Sequence, residues 1–206
     1  MNPPPTDGGA PRPPRRRIHT RARLLAAARE LFLSAGFART SIEDVCAAAG
    51  YTRGAFYSNF GGKEELLLTL FDDQAARRMA ELADLAAACE GLAPRERARR
   101  LVEALMRVDP ADSGWILLFL EFRLVAARTP ALAEQVAAHD RAVARALAEV
   151  LERELPSLVP PGASAAQAAA VILAAREGLL ARTAAGGTVA EDLLAATAAV
   201  LSGLLD

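Results

Sequence analysis

Residues 41–60 read SIEDVCAAAGYTRGAFYSNF, and these twenty residues decide the fold. Ser41 is of a type that caps helices, and Asp44, three places on, completes a capping-box-like arrangement. Ile42, Val45, Cys46 and Ala49 follow at three- and four-residue steps, so they share one side of a short helix. Gly50 supplies its stop. Thr52 offers a second cap, and the helix it opens, running to about Phe60, carries Phe56 and Phe60 four apart as anchors. Arg53, Gly54, Tyr57 and Ser58 fall towards the other side. That face holds a planar cation, a hydroxyl and a phenol, with no carboxylate to repel phosphate. Two short helices joined by a glycine-containing turn make a helix-turn-helix pattern. Residues 41–60 are therefore expected to expose a carboxylate-free helical surface.

Helical periodicity continues on both sides. Upstream, Leu24, Leu25, Ala28, Leu31, Phe32 and Ala35 form one stripe, ended by Gly36. Downstream, Gly61-Gly62 breaks the chain, and a long helix starts near Lys63 with Glu64 and Glu65 suited to its positive end. Further helices are expected from Pro94 to before Pro110, then over 113–128, 131–155, 164–185 and 189–205, with prolines at starts or beyond ends. The expected fold is all-α with about nine helices. Residues 1–17, rich in Pro, Gly and Arg, read as a flexible arm. Residues 18–63 then form a three-helix helix-turn-helix domain, and residues 64–206 a larger helical domain. The Arg15-Arg16-Arg17 cluster suits either a solvated tail or an arm trailing along phosphates.

The formal net charge of −1 hides an asymmetry. Residues 1–63 hold ten Arg and Lys against four Asp and Glu, whereas residues 64–206 hold fourteen against twenty-one. One end attracts a polyanion and the other does not. Cys46 and Cys89 are too few and too far apart for a disulfide framework or a zinc site, and Cys46 on the buried side of its helix reads as inert packing. With only His19 and His139, no nucleophile–base pair or metal cluster is apparent, so an enzyme is not expected, nor any cofactor. No apolar run reaches membrane-span length, and the first residues lack a signal peptide's apolar segment, so the expected place is the cytosol.

The stretch from Thr20 to Phe71 resembles the DNA-binding domain of TetR-type (tetracycline-repressor-like) regulators. The likeness rests on Thr20-Arg21, Phe32 with Gly36-Phe37, Thr40-Ser41-Ile42, Ala48-Ala49-Gly50, Arg53-Gly54-Ala55-Phe56-Tyr57, Phe60 and Lys63-Glu64, all in order. The resemblance implies that Thr40 and Ser41 hold a phosphate at the start of the second helix. It puts Thr52, Arg53 and Gly54 at the front of the recognition helix in the major groove, and Tyr57 against the DNA backbone. Lys63 would reach phosphate from the start of the fourth helix. Asn59 stands where a histidine is common, and a phosphate contact is carried over to it. Tyr51 replaces a common small aliphatic residue. Glycine costs about 1 kcal/mol against alanine inside a helix, so close approach of DNA would give Gly54 a reason.

Beyond residue 71 only helix number and length agree with the family. Residues 164–185 and 189–205 are apolar nearly all round and must be covered on more than one side. A second copy is the simplest cover, and the family's use of its last two helices for dimerisation implies a homodimer through residues 164–205. Trp115, Phe119 and Phe122 lie on one stripe with Arg123 at its border, and His139 interrupts the stripe of Leu132, Val136, Val143, Leu147 and Val150. A packed core with a satisfied histidine explains this pattern. So does an effector cavity for a small, partly apolar molecule, with Trp115, Phe119, Phe122, Arg123 and His139 as its candidates. The resemblance thus implies a repressor of palindromic operator DNA released by a small ligand. An activator of the same fold and a helical adaptor are the rivals. The adaptor leaves the positive N-terminal quarter without an explanation.

Overall fold

The computed structural model describes residues 14–107, 113–156, 159 and 161–184. Among them the chain is all-helical, with α1 at Pro14–Ala35, α2 at Ile42–Ala49, α3 at Arg53–Tyr57 and α4 at Lys63–Ala88. Then follow α5 at Pro94–Met106, α6 at Ser113–Ala126, α7 at Pro130–Glu154 and α8 at Ala165–Ala184. The helix expected at 189–205 lies outside the described residues, as does the arm up to residue 13. Two compact units divide the chain between Leu66 and Leu67.

In the first unit, helix ends follow local chemistry. The Ser41 hydroxyl accepts from the Asp44 backbone at 3.1 Å, while the Ser41 backbone donates to the Asp44 carboxylate at 2.9 Å, a complete capping box. The Ser41 hydroxyl also donates to that carboxylate, and this bond, with the one from the Ser41 backbone after it, holds the Asp44 carboxyl below its ordinary range. Gly50 closes α2 at φ +72°, a left-handed conformation that a side chain resists. The bond from the Tyr51 N–H to the Cys46 carbonyl completes a Schellman-type end. The Thr52 hydroxyl caps α3 by accepting from Ala55 at 3.3 Å.

Leu24, Ala28, Phe32, Phe37, Val45, Ala49, Phe56, Phe60 and Leu66 are buried and form the core of this unit. Phe56 and Phe60 lie beneath α3, their rings 5.8 Å apart. Cys46 is buried among apolar neighbours, and that burial pushes its thiol up, as expected of a packing cysteine. Two expectations are corrected here. Residues 14–17 belong to α1 and not to an arm, since proline's fixed φ suits a first helical turn. The third helix stops at Tyr57; Asn59 and Phe60 both donate to the Phe56 carbonyl in a closing turn.

In the second unit, α5 turns Ala98, Leu101, Val102, Leu105 and Met106 inward. Outward it carries Arg99 paired with Glu96 and Glu103, and Arg100 paired with Glu96. The buried side joins Leu82, Leu147, Leu151, Leu155, Ala169 and Ile172 in one core. Helices α6, α7 and α8 pack on one another. Along α8, Ala166, Ala170, Ala174 and Gly178 form an exposed stripe at steps of four, beside the exposed Val171. No helix among the described residues is long and apolar enough to cross a membrane.

Candidate nucleic-acid interface and ligand cavity

The outer face of α3 carries the charge and the hydrogen-bonding groups. Thr52, Arg53, Gly54, Tyr57 and Ser58 are all exposed, and Tyr57 is 49 % so. Below them the Phe56 ring meets Tyr57 edge-on at 5.4 Å, which fixes the phenol against the core. The Arg53 guanidinium sits 5.9 Å from the Tyr57 ring centre. Tyr57, and after it Glu43, hold the Arg53 proton more firmly than usual.

Nothing among the described residues asks for glycine at position 54. A β-carbon built there would meet only the Thr52 Oγ1 at 3.8 Å, an ordinary contact.

The carboxylate-free face expected over residues 41–60 is corrected. Arg53 Nη1 lies 2.6 Å from Glu43 Oε1, with both side chains more than half exposed. Glu43 stands in the first turn of α2, where an acid also suits the helix dipole. The turn brings the starts of α2 and α3 together, and ten residues of separation in sequence conceal it.

Thr40, Lys63, Asn59 and Ser41, four further residues expected at phosphate, each make bonds within the chain. The Thr40 side chain is buried and its hydroxyl donates to the Gly36 carbonyl at 2.8 Å, on the side of the α1–α2 loop. Lys63 is turned back in the same direction. Its ammonium donates to the Phe37 carbonyl at 2.8 Å and the Thr40 carbonyl at 2.9 Å, and lies 4.2 Å from the Phe37 ring centre. A cation at the positive end of α4 is tolerated because carbonyl oxygens and an aromatic face receive it. The Asn59 amide donates to the Ala55 carbonyl at 2.7 Å and closes the end of α3. The Ser41 hydroxyl is engaged in its cap.

The second unit contains a cavity of about 480 Å³. Phe71 of α4, Trp115 and Phe119 of α6 and His139 of α7 give it an aromatic wall. Phe71 is the hub of that wall, 4.9 Å from Phe119 and 6.1 Å from Trp115 between ring centres. Sequence spacing missed Phe71, because its own helix gives no sign that it meets the α6 stripe. His139 Nδ1 lies 2.6 Å from the Asp72 carboxylate. Arg78, Arg107, Arg176, Glu81 and Glu177 add charge to the lining.

Two of the five expected cavity residues are not in the lining. Phe122 is wholly buried behind Phe71, with ring centres 5.9 Å apart. Arg123 braces the wall from behind: it donates to Asp140 at 2.9 Å and Glu177 at 3.2 Å, and stacks on Phe119 at 4.5 Å. Burial raises the Glu177 carboxyl above its ordinary range, against the pull of Arg123. Among the described residues no group of His, Cys, Asp and Glu is placed to hold a metal ion.

Comparison with known proteins agrees with both units. Residues 24–70 match the model of bacterial regulatory proteins of the tetR family, and residues 94–206 that of the C-terminal domain of BetI-type transcriptional repressors. The HTH-type transcriptional regulator TtgR of Pseudomonas putida is 45 % identical over 53 residues, which are 26 % of this chain and 25 % of that protein. The HTH-type transcriptional repressor AcnR of Corynebacterium efficiens is 28 % identical over 106 residues, 50 % of this chain and 49 % of the other. The chain thus spans a quarter to a half of these curated relatives. A TetR-family transcriptional regulator from Pectobacterium atrosepticum superposes with a TM-score of 0.64 at 26 % identity, covering 94 % of this chain and 96 % of the other. A TetR transcription regulator from Haloarcula marismortui has the same fold, with a TM-score of 0.68 at 18 % identity over 90 % of this chain and 97 % of its own.

Proposed function

We propose that this chain, which belongs to the tetR family of bacterial regulatory proteins, is a DNA-binding transcriptional regulator, and that it acts as a homodimeric repressor of a palindromic operator, released by a small, partly apolar ligand. The observation that carries the DNA-facing part is α3 itself. Arg53, Tyr57 and Thr52 stand exposed on a helix seated by Phe56 and Phe60, around a glycine that no contact among the described residues requires. Arg53 and Thr52 read base edges, Tyr57 lies along the backbone, and Gly54 lets the groove come close. The likeness of residues 94–206 to a repressor's C-terminal domain favours repression over activation.

Dimerisation is assigned to α8 and the residues after it, on the strength of the exposed alanine stripe and Val171. Small side chains let helices of two copies approach closely. Two recognition helices about 34–36 Å apart then meet successive major grooves. The ligand enters the cavity walled by Phe71, Trp115, Phe119 and His139. Phe71 lies on α4, the helix that begins at Lys63. A ligand that binds better to one setting of α4 shifts the population towards it and changes the operator affinity.

The test is selection from a random duplex pool with the full chain, followed by binding of the enriched duplex at several salt concentrations. A palindrome and a steep salt slope are expected. An enriched site without two-fold symmetry would overturn the dimeric reading, and failure to enrich any sequence would overturn operator recognition.

A further inference from the structure

We propose that Glu43 is a specificity-determining residue: by pairing with Arg53 it withholds that guanidinium from phosphate and reserves it for the neutral edge of a guanine. This rests on the reading of Arg53 as a groove contact. The two groups are 2.6 Å apart and more than half exposed, so the pair lies on the surface that would face DNA and no packing locks it shut.

The physical argument turns on charge against direction. A lone arginine on this face would be drawn to any phosphate, and that attraction carries no sequence information. Paired with Glu43, the site has no net charge, and a phosphate coming within reach of Arg53 must also face the carboxylate. A guanine presents O6 and N7, which are acceptors without a formal charge. Arginine has five N–H donors in a fixed fork, and one pairing with Glu43 leaves others for those two acceptors. Glu43 therefore penalises the wrong contact more than the right one, which is how specificity arises from a repulsive element. The other role open to Glu43, an acid in the first turn of α2, does not involve Arg53, and this separates the two roles experimentally.

The experiment compares the wild type, Glu43→Gln, Arg53→Ala and the double variant on two duplexes of equal length, the enriched site and a scrambled sequence. Glu43→Gln is expected to tighten binding to the scrambled duplex by about fivefold for each recognition helix engaged. Its salt slope should steepen by about 1 for each new phosphate contact. The enriched site should gain much less, so the ratio of the two affinities falls. In the Arg53→Ala background the same change should have little effect. An equal gain on both duplexes, or a gain that survives without Arg53, overturns the proposal. Unchanged discrimination in Arg53→Ala alone would instead reject the groove reading of Arg53.

Discussion

Replacing Gly54 by alanine should make the protein more stable and a poorer binder of its operator. The stability side follows from α3 having room for a methyl group, since the added β-carbon would touch only the Thr52 hydroxyl at 3.8 Å. Without a clash, what remains is the lower backbone entropy that alanine gives to the unfolded chain, about 0.5–1 kcal/mol. For a chain of this length that is a rise in midpoint of about 2–4 °C per kcal/mol. The binding side rests on the proposed insertion of α3 in a groove, where a methyl group at this exposed position would meet the DNA. Intrusion into a tightly fitted groove should cost about 1–3 kcal/mol, the scale of one lost base contact, or roughly 5- to 150-fold in affinity for each half-site. Denaturant unfolding gives the first quantity, and titration of the enriched duplex at fixed salt gives the second. A variant that is stabilised yet binds its operator as tightly as the wild type would refute the idea that DNA imposes the glycine. A destabilised variant would refute the packing argument.

Other outcomes follow from the ion pairs and caps. Lys63→Met should lower stability by about 1–3 kcal/mol, because the Phe37 and Thr40 carbonyls lose their donor, and the salt slope of DNA binding should stay as it was; a slope flatter by about 1 would restore Lys63 to a phosphate. The Asp44 carboxyl is held low by its bonds to Ser41, so its contribution to stability is present above the unfolded value near 3.8 and is lost as pH falls through the lower folded value. Unfolding curves of the wild type and Asp44→Asn should therefore differ at neutral pH and converge in acid. Arg123→Met leaves Asp140 and Glu177 without their shared cation. Its loss of stability should be largest at neutral pH and shrink in acid as the Glu177 carboxyl, raised by burial, takes up its proton, which thermal melts across pH 4–7 would reveal as about a 1–3 kcal/mol effect.

The legible part of this molecule was the part governed by near neighbours in sequence. Ser41 with Asp44, Gly50 and Thr52 each act within a few residues, so the limits of α2 and the start of α3 could be read directly. The anchoring of Phe56 and Phe60 followed from helical spacing. Where a side chain's partner comes from another element, the same reasoning does not supply it. Lys63 meets carbonyls in the α1–α2 loop, Arg53 meets Glu43 across the turn, and Phe71 meets α6. The stripe of Trp115, Phe119 and Phe122 was real. Periodicity, however, reports that residues share a face and not which of them borders a cavity, and here Phe122 is sealed behind Phe71.

The lysine folded back beneath the α1–α2 loop is the only lysine in the sequence. Its amine is partly buried and held by two carbonyls. An amine-selective acylating reagent would therefore find one side-chain amine, and would reach it faster when that loop moves away from α4. The rate of modification at this position would then time the opening of the DNA-binding unit, using a reporter the protein already carries.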